Sequence, residues 1–117
     1  MSDSGFNSCV VLGRLDDAPE ELQTKAGKLF LKAPIRVAMH RKNENNESEY
    51  RSCLVIATLY GPSAEHFLKY VRKNDYVHLT GRLDSNEWVT NAGKKRRSLA
   101  FVVEHIGFLP NKREGGE

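Results

Sequence analysis

Short apolar runs separated by turn-forming residues recur along the chain, and most of them are rich in β-branched and aromatic residues. Such runs are typical of β-strands. Within the first run, Gly13 suggests a bend or a close approach of another backbone. Within the second, Pro34 lacks a backbone donor, which predicts a bulge or a local sheet edge. Five strands are therefore predicted, over residues 6–15, 29–39, 50–61, 75–84 and 99–109.

One segment between the third and fourth strands has a different period. Residues 62–73 place Ala64, Phe67, Leu68 and Val71 at the spacing of one helix face. The proline that opens this segment suits the first helical turn, and the cations near its end suit the helix dipole. We therefore predict a helix over the whole segment.

The fourth strand alternates cleanly between apolar and polar positions, which is typical of a half-buried strand. We expect one face to be inward and the other outward. The inward set is Val77, Leu79, Gly81 and Leu83, and the outward set is Tyr76, His78, Thr80 and Arg82.

The predicted order of elements is β-β-β-α-β-β, which is the order of the five-stranded Greek-key barrel called the OB-fold. The fold class is thus all-β with one helix. The barrel domain is expected to span residues 5–109, followed by a short polar tail over residues 110–117. Residues 85–98, between the last two strands, carry Trp88 and a turn at residues 91–93.

Length and composition allow one small domain and exclude several classes of protein. The chain has 117 residues, and no apolar run approaches the roughly 20 residues of a membrane span. The N-terminus has no basic start and no apolar run, so we expect a cytoplasmic protein. The net charge is +3, and the cations concentrate late in the chain, with four consecutive ones at Lys94–Arg97.

No set of residues suggests an enzyme, a metal site or a cofactor. Cys9 and Cys53 are far apart in apolar surroundings, so we expect two reduced, buried thiols and no disulfide. The four histidines lack metal-ligand spacing, and no nucleophile has a base beside it in the sequence. A small hydrolase built on a barrel is therefore the least favoured alternative.

Several segments, in order and in register, resemble bacterial single-stranded DNA-binding proteins over residues 5–109. The opening NSCVVLGRL, followed by DAPE, is similar to the family's opening of Asn, apolar residues, Gly-Asn-Leu and Asp-Pro-Glu. The other matching positions are Tyr60–Gly61, Ala64–Glu65, residues 70–73, residues 77–83, Trp88 and Gly93.

The resemblance implies sequence-independent binding and protection of single-stranded DNA in replication, recombination or repair. Such binding uses aromatic faces for bases and cations for phosphates. Tyr60 and Trp88 match the family's stacking aromatic residues, and Lys94, Lys95, Arg96 and Arg97 are expected to neutralise phosphates. Because alternate residues of a strand face opposite ways, at most two of these four should share one DNA path. Further expected phosphate contacts are Arg36, Arg41, Lys42, Arg72 and Lys73.

The chain also departs from the family pattern. Two tryptophans of the family fall near Met39 and His40 and at Leu54, and we expect Tyr50 to replace one of them. The family's acidic tip, which recruits replication and repair enzymes, has no match, so either the protein lacks that recruiting function or the sequence is truncated. A tailless protein would fit a phage, plasmid or other mobile element. A relative of the dimeric primosomal replication protein N is the alternative interpretation.

The resemblance further implies a homo-oligomer, either a dimer or a tetramer. The family uses strand 1 and the outer face of strand 4 as contact surfaces, and we expect Tyr76 and His78 to contribute to such a contact. Two other hypotheses stay open at this point: an OB-fold used only for protein contacts, and RNA as the ligand, because stacking and phosphate contacts do not read the 2′-hydroxyl.

Overall fold

The structure is a computed structural model and describes residues 5–108. The predicted polar tail, residues 110–117, lies outside the described residues. Seven elements follow one another along the chain, one more than predicted, because a short strand precedes the second predicted one. They are β1 (Cys9–Leu15), β2 (Glu20–Gln23), β3 (Leu29–Lys42), β4 (Ser48–Tyr60), α1 (Gly61–Tyr70), β5 (Tyr76–Val89) and β6 (Lys95–Phe108).

The strands form one sheet in the order β1-β5-β6-β4-β3-β2, and an additional β1–β3 pairing closes it into a barrel. At this closure Arg14 lies opposite Arg36, and Leu15 lies opposite Ile35. The barrel therefore has five strands, and the prediction of an OB-fold is confirmed. The four-residue β2 pairs only with the start of β3. Its polar sequence carries no apolar alternation, which is why it escaped prediction.

The core fills the barrel with the inward side chains of the strands. Of the predicted inward set of β5, Val77 and Leu79 are fully buried, whereas Leu83 is exposed. The alternation is thus correct inside the barrel and wrong where β5 leaves it. Thr80 lies opposite His105 and Gly81 opposite Val103, so Glu104 is the extra residue of a β-bulge between these two positions.

The helix packs against the barrel through Ala64 and Phe67, which are fully buried. It ends at Tyr70, three residues earlier than predicted, and Val71 already has an extended backbone. Arg72 and Lys73 consequently lie in the turn that follows, not in the last helical turn. Leu68, predicted on the buried face, is exposed.

Gly13 makes the close backbone approach that the sequence suggested, because a β-carbon there would lie 2.5 Å from the carbonyl oxygen of Arg36. Pro34 does not cause a bulge, since the register of β3 with β4 is continuous through it. On its other side, β3 pairs with β2 up to Lys32 and with β1 from Ile35. Pro34 occupies the gap between these pairings, where no donor is needed.

Two hairpins extend beyond the barrel as arms, over segments that lie between the predicted strands. Residues 40–48 and 85–98 are mostly strand, and only the tight turns at residues 43–47 and 90–94 interrupt them. Gly93 has a φ of 82°, which suits the predicted turn at residues 91–93. The arms are exposed on both faces, so their strands lack the apolar alternation by which strands are recognised.

The prediction of two buried thiols is wrong for Cys53. Both cysteines are free, but Cys9 is half-buried and Cys53 is exposed, because it lies where β4 leaves the barrel for the arm. Among residues 5–108, no helix is long and apolar enough to cross a membrane. The same residues hold no group of three or more metal-binding side chains placed to share an ion.

Candidate nucleic-acid interface

The outward side chains of β3 and β4 form a continuous surface, which we call the binding face. The antiparallel register sets them side by side, because directly opposite residues of two strands point to the same side of the sheet. The opposed pairs are Phe30 and Tyr60, Lys32 and Thr58, Pro34 and Ile56, Arg36 and Leu54, Ala38 and Ser52, His40 and Tyr50, and Lys42 and Ser48.

An aromatic pair stands at each end of the binding face. The rings of Phe30 and Tyr60 are stacked, with centroids 5.4 Å apart and planes at 22°. At the other end, His40 and Tyr50 meet edge to face at 4.8 Å. Ten residues of strand separate the two pairs, about 33 Å at the usual rise. Tyr50 thus lies beside the position where the resemblance located a missing tryptophan.

Between the two aromatic pairs, exposed aliphatic side chains of β4 lie beside cations of β3. Leu54 and Ile56 are each 45% exposed, although both are aliphatic. Lys32 and Arg36 rise from β3 on the same side. An exposed apolar strip with positive charge along it suits a ligand with flat apolar rings and an anionic backbone.

The arm formed by β5 and β6 borders the binding face, and a groove of about 420 Å³ lies between them. Phe30, Lys32 and Tyr60 line one side of the groove, while Asp84 and Asn86 line the other. Farther out on the arm, Trp88 continues the alternation of these two β5 residues and is 46% exposed. The groove therefore leads from the stacked aromatic pair toward the single tryptophan.

The basic run is divided between the two faces of the arm. Arg96 lies directly opposite Trp88, whereas Arg97 lies opposite Glu87 and Lys95 opposite Val89. Arg96 therefore shares the groove side with Trp88, and Arg97 and Lys95 stand on the other face. Lys94 belongs to the turn at the tip, where its backbone N–H donates to the Thr90 hydroxyl at 3.2 Å.

The remaining predicted cations lie at three different places. Lys42 stands on the binding face beyond Tyr50. Arg41 points to the opposite face of the β3–β4 arm, where it pairs with Glu49 at 3.6 Å. Arg72 and Lys73 are exposed in the turn after the helix. The structure thus places Arg41, Arg72 and Lys73 away from the cations of the binding face.

Arg36 is engaged with a carboxylate that the sequence did not indicate. Its Nη2 lies 3.2 Å from Oδ2 of Asp16, and Nη1 of Arg14 lies 3.2 Å from Oδ1 of the same carboxylate. The hydrogen bond from Arg36, together with the charges of both arginines, holds the pKa of Asp16 below its ordinary value despite an opposing effect of burial. We call these three residues the Asp16 cluster.

Sequence reasoning missed Phe30, Lys32 and Asp16. The first two could have been found, because the buried alternate positions of β3 leave Phe30 and Lys32 on the outward side with Arg36. A single aromatic ring among charged residues on the outward side of a strand indicates a candidate binding residue. Asp16 gave no signal, since its contact with Arg36 depends on the closure of the barrel between β1 and β3.

A second exposed surface lies on the outer side of β1 and β5. Val10, Leu12 and Tyr76 are exposed there, and the register sets Leu12 opposite His78 and Arg14 opposite Tyr76. The predicted outward direction of Tyr76 and His78 is therefore confirmed. Exposed aliphatic residues in the middle of a sheet are unusual for a surface that faces only water.

Comparisons with known proteins agree with this architecture. The chain is 27% identical over 110 residues to single-stranded DNA-binding protein 3 of Listeria innocua, covering 94% of this chain and 68% of that protein. It is 31% identical over 110 residues to the single-stranded DNA-binding protein of Thermotoga maritima, covering 93% and 77%. The chain spans about two thirds of the length of several such relatives.

Two solved structures share the fold. One is described as the Plasmodium falciparum SSB complex with ssDNA, with a TM-score of 0.77 and 18% identity over 93% of this chain and 99% of that one. The other is a deletion mutant of the Thermus aquaticus single-stranded DNA binding protein, with a TM-score of 0.79 and 22% identity over 93% and 52%. Residues 6–109 match the single-strand binding protein family, and the chain belongs to that family.

Proposed function

We propose that this protein binds single-stranded DNA without sequence preference along the binding face and the groove beside the arm. The observation that carries this proposal is the pair of aromatic contacts, Phe30 with Tyr60 and His40 with Tyr50, at the two ends of one exposed apolar strip. Family membership and the relatives named for single-stranded DNA binding support it.

Each part of the surface has a distinct task in this mechanism. Exposed rings offer stacking surfaces that accept any base, because every base has a π-face. The cations neutralise phosphates, which carry no base information. The proposed stacking residues are Tyr60, Tyr50 and Trp88, and the proposed phosphate contacts are Lys32, Arg36, Lys42 and Arg96. Arg97, Lys95 and Arg41, which stand on other faces, contribute only to the general positive field.

The physiological role that follows is protection of exposed single strands during replication, recombination or repair at the nucleoid. Duplex DNA is a poor ligand for this surface, since its bases are already stacked and paired. RNA offers the same rings and phosphates, so discrimination against it depends on contacts to the 2′-hydroxyl.

We also propose that the outer surface of β1 and β5 forms a contact between copies of this chain. Val10 and Leu12 supply exposed aliphatic area in mid-sheet, and Tyr76 and His78 border it. Sedimentation at micromolar concentration should give a dimer or tetramer, and Leu12→Asp should reduce it toward the monomer. A wild-type monomer at that concentration would contradict the oligomer contact and leave the DNA-binding face unaffected.

The central test is a fluorescence titration with oligo-dT, a mixed-sequence single strand and a duplex at two salt concentrations. We expect both single strands to bind with similar affinity, the duplex to bind much more weakly, and all affinities to fall with salt. Equal binding of duplex and single strand would contradict stacking. No salt-dependent binding of any oligonucleotide would favour an OB-fold used only for protein contacts.

A further inference from the structure

The Asp16 cluster has the geometry of an anion site that already contains an anion. Nε and Nη2 of Arg36 lie 3.4 Å and 3.2 Å from the two carboxylate oxygens of Asp16, so one edge of the guanidinium meets both oxygens. Arg14 approaches Oδ1 from the other side at 3.2 Å. A phosphodiester group presents two oxygens to a guanidinium in the same forked manner.

The cluster lies where the binding face passes into a second groove. This groove has a volume of about 540 Å³ and runs from Tyr50 and Ser52 to Arg36 and Asp16. Its far end, at Leu12 and Tyr76, belongs to the surface proposed above as a contact between copies of this chain, so the DNA path ends at the Asp16 cluster. Nη1 of Arg36 also lies 3.4 Å from the Ser52 hydroxyl, a second polar group on the same face. A strand that leaves the aromatic pair at Tyr50 in this direction therefore meets the two guanidinium groups.

The cluster also connects the binding face to cations beyond it. Nη1 of Arg14 lies 3.2 Å from Oδ1 of Asn74. The backbone N–H of Asn74 donates to the carbonyl oxygen of Leu15 at 2.8 Å, which anchors the turn that carries Arg72 and Lys73. These two exposed cations, which the sequence predicted to contact phosphates, are thus connected to the Asp16 cluster and not to the β5–β6 arm.

We propose that Arg14 and Arg36 form a phosphate subsite and that Asp16 occupies it in the free protein as an internal competitor. The proposal rests on the proposed single-stranded DNA binding. DNA must displace or share the carboxylate, and each phosphate placed there meets a like charge. Asp16 is partly exposed, with 27% of its side chain accessible, so water can solvate it once a phosphate takes its place. Asp16 therefore lowers the affinity of this subsite for phosphate.

The test compares Asp16→Asn with the wild type and with Asp17→Asn. The neighbouring Asp17 is exposed, and its side chain accepts a hydrogen bond from the backbone of Ala18. Both variants raise the net charge by one, so they differ in whether the arginine pair is released. The probe is oligo-dT, titrated by fluorescence at several salt concentrations. Thermal unfolding and Asp16→Ser show whether the loop tolerates loss of the carboxylate.

For Asp16→Asn we expect roughly 2- to 30-fold tighter binding than for Asp17→Asn, the range for releasing two partly exposed ion pairs. The salt slope should steepen by about 0.7, one additional phosphate contact. Adding Arg36→Gln should abolish this gain. Equal affinity of the two asparagine variants, or weaker binding by a folded Asp16→Asn, would overturn the proposal. Absence of binding by the wild type would instead overturn the proposed function itself.

Discussion

Trp88 and Arg96 lie directly opposite each other on the two strands of the β5–β6 arm. Their side chains stand on the same side of the arm, the side whose inner part lines the groove beside the binding face. A stacking ring and a cation next to each other match the two parts of one nucleotide, its base and its phosphate. This arrangement makes the arm an active part of the proposed interface.

Replacing Trp88 by Ala should weaken oligo-dT binding by roughly 5- to 150-fold, the range for loss of one stacked base. Trp88 is the single tryptophan of the chain, so its fluorescence should also change when the wild type binds DNA. The matched control is Val89→Ala, an exposed neighbour on the opposite face of the arm. Unchanged emission at saturating DNA would place the stacked bases elsewhere.

Arg96→Ala and Arg97→Ala should differ although the two residues are adjacent. Arg96 shares the groove side with Trp88, whereas Arg97 faces away and lies opposite Glu87. Loss of Arg96 should reduce the slope of log K against log salt by about 0.7, one phosphate on a single strand. Loss of Arg97 should leave the slope nearly unchanged. Equal slopes for the two variants would show that the arm twists or flexes enough to use both faces.

The barrel could be predicted from the sequence because its strands obey the alternation rule. Val77 and Leu79 point inward and Tyr76 and His78 outward, as the pattern indicated. The rule fails at Leu83, where β5 leaves the barrel and has no core on either side. It fails for the same reason at Cys53, which was expected to be buried and is exposed. Local patterns report burial only where a core exists.

The candidate site was predictable in part of its aromatic residues and less so in its charges. Tyr60 and Trp88 were expected from the resemblance to the family and both are exposed, whereas Phe30, which stacks on Tyr60, was missed. The partners of the cations depend on the register of strands far apart in sequence. Asp16 reaches Arg36 across twenty residues, and Glu49 holds Arg41 on the other face of its arm. No short motif contains this information.

Tyr60→Ala should weaken oligo-dT binding by roughly 5- to 150-fold, as expected for one stacked base. Its ring stacks on Phe30 and the residue is 48% exposed, so one face of the ring packs on Phe30 while the rest of the side chain is accessible. Tyr60→Phe should retain most of the affinity, because it keeps the ring. Tyr70→Ala, which removes an exposed tyrosine of the helix, should have little effect. Equal losses at both tyrosines would indicate a general effect on folding.

Acid should destabilise the wild type in part through Asp16. Its pKa is lowered in the folded protein, so the folded state holds the ionised form more strongly than the unfolded state does. This stabilisation is complete above the unfolded pKa of about 3.9 and is lost as pH falls through the lowered folded value. Thermal unfolding measured from pH 7 to pH 3 should therefore show that Asp16→Asn loses less stability on acidification than the wild type does. An equal loss of thermal stability at low pH in the two proteins would contradict this assignment.

Gly81→Ala should destabilise the barrel by about 1–3 kcal/mol or more, because overpacking against a rigid neighbour forces the backbone to shift. A β-carbon at Gly81 would overlap the carbonyl oxygen of Val102, at the bulge where β5 and β6 change register. The matched control is Gly5→Ala, where a β-carbon would meet nothing within 4 Å. Chemical denaturation should give a clear loss for the first variant and none for the second. Because Val102 also lines the groove, Gly81→Ala should in addition weaken oligo-dT binding while the protein is still folded. Unchanged stability would mean that a small backbone shift at the bulge accommodates the β-carbon.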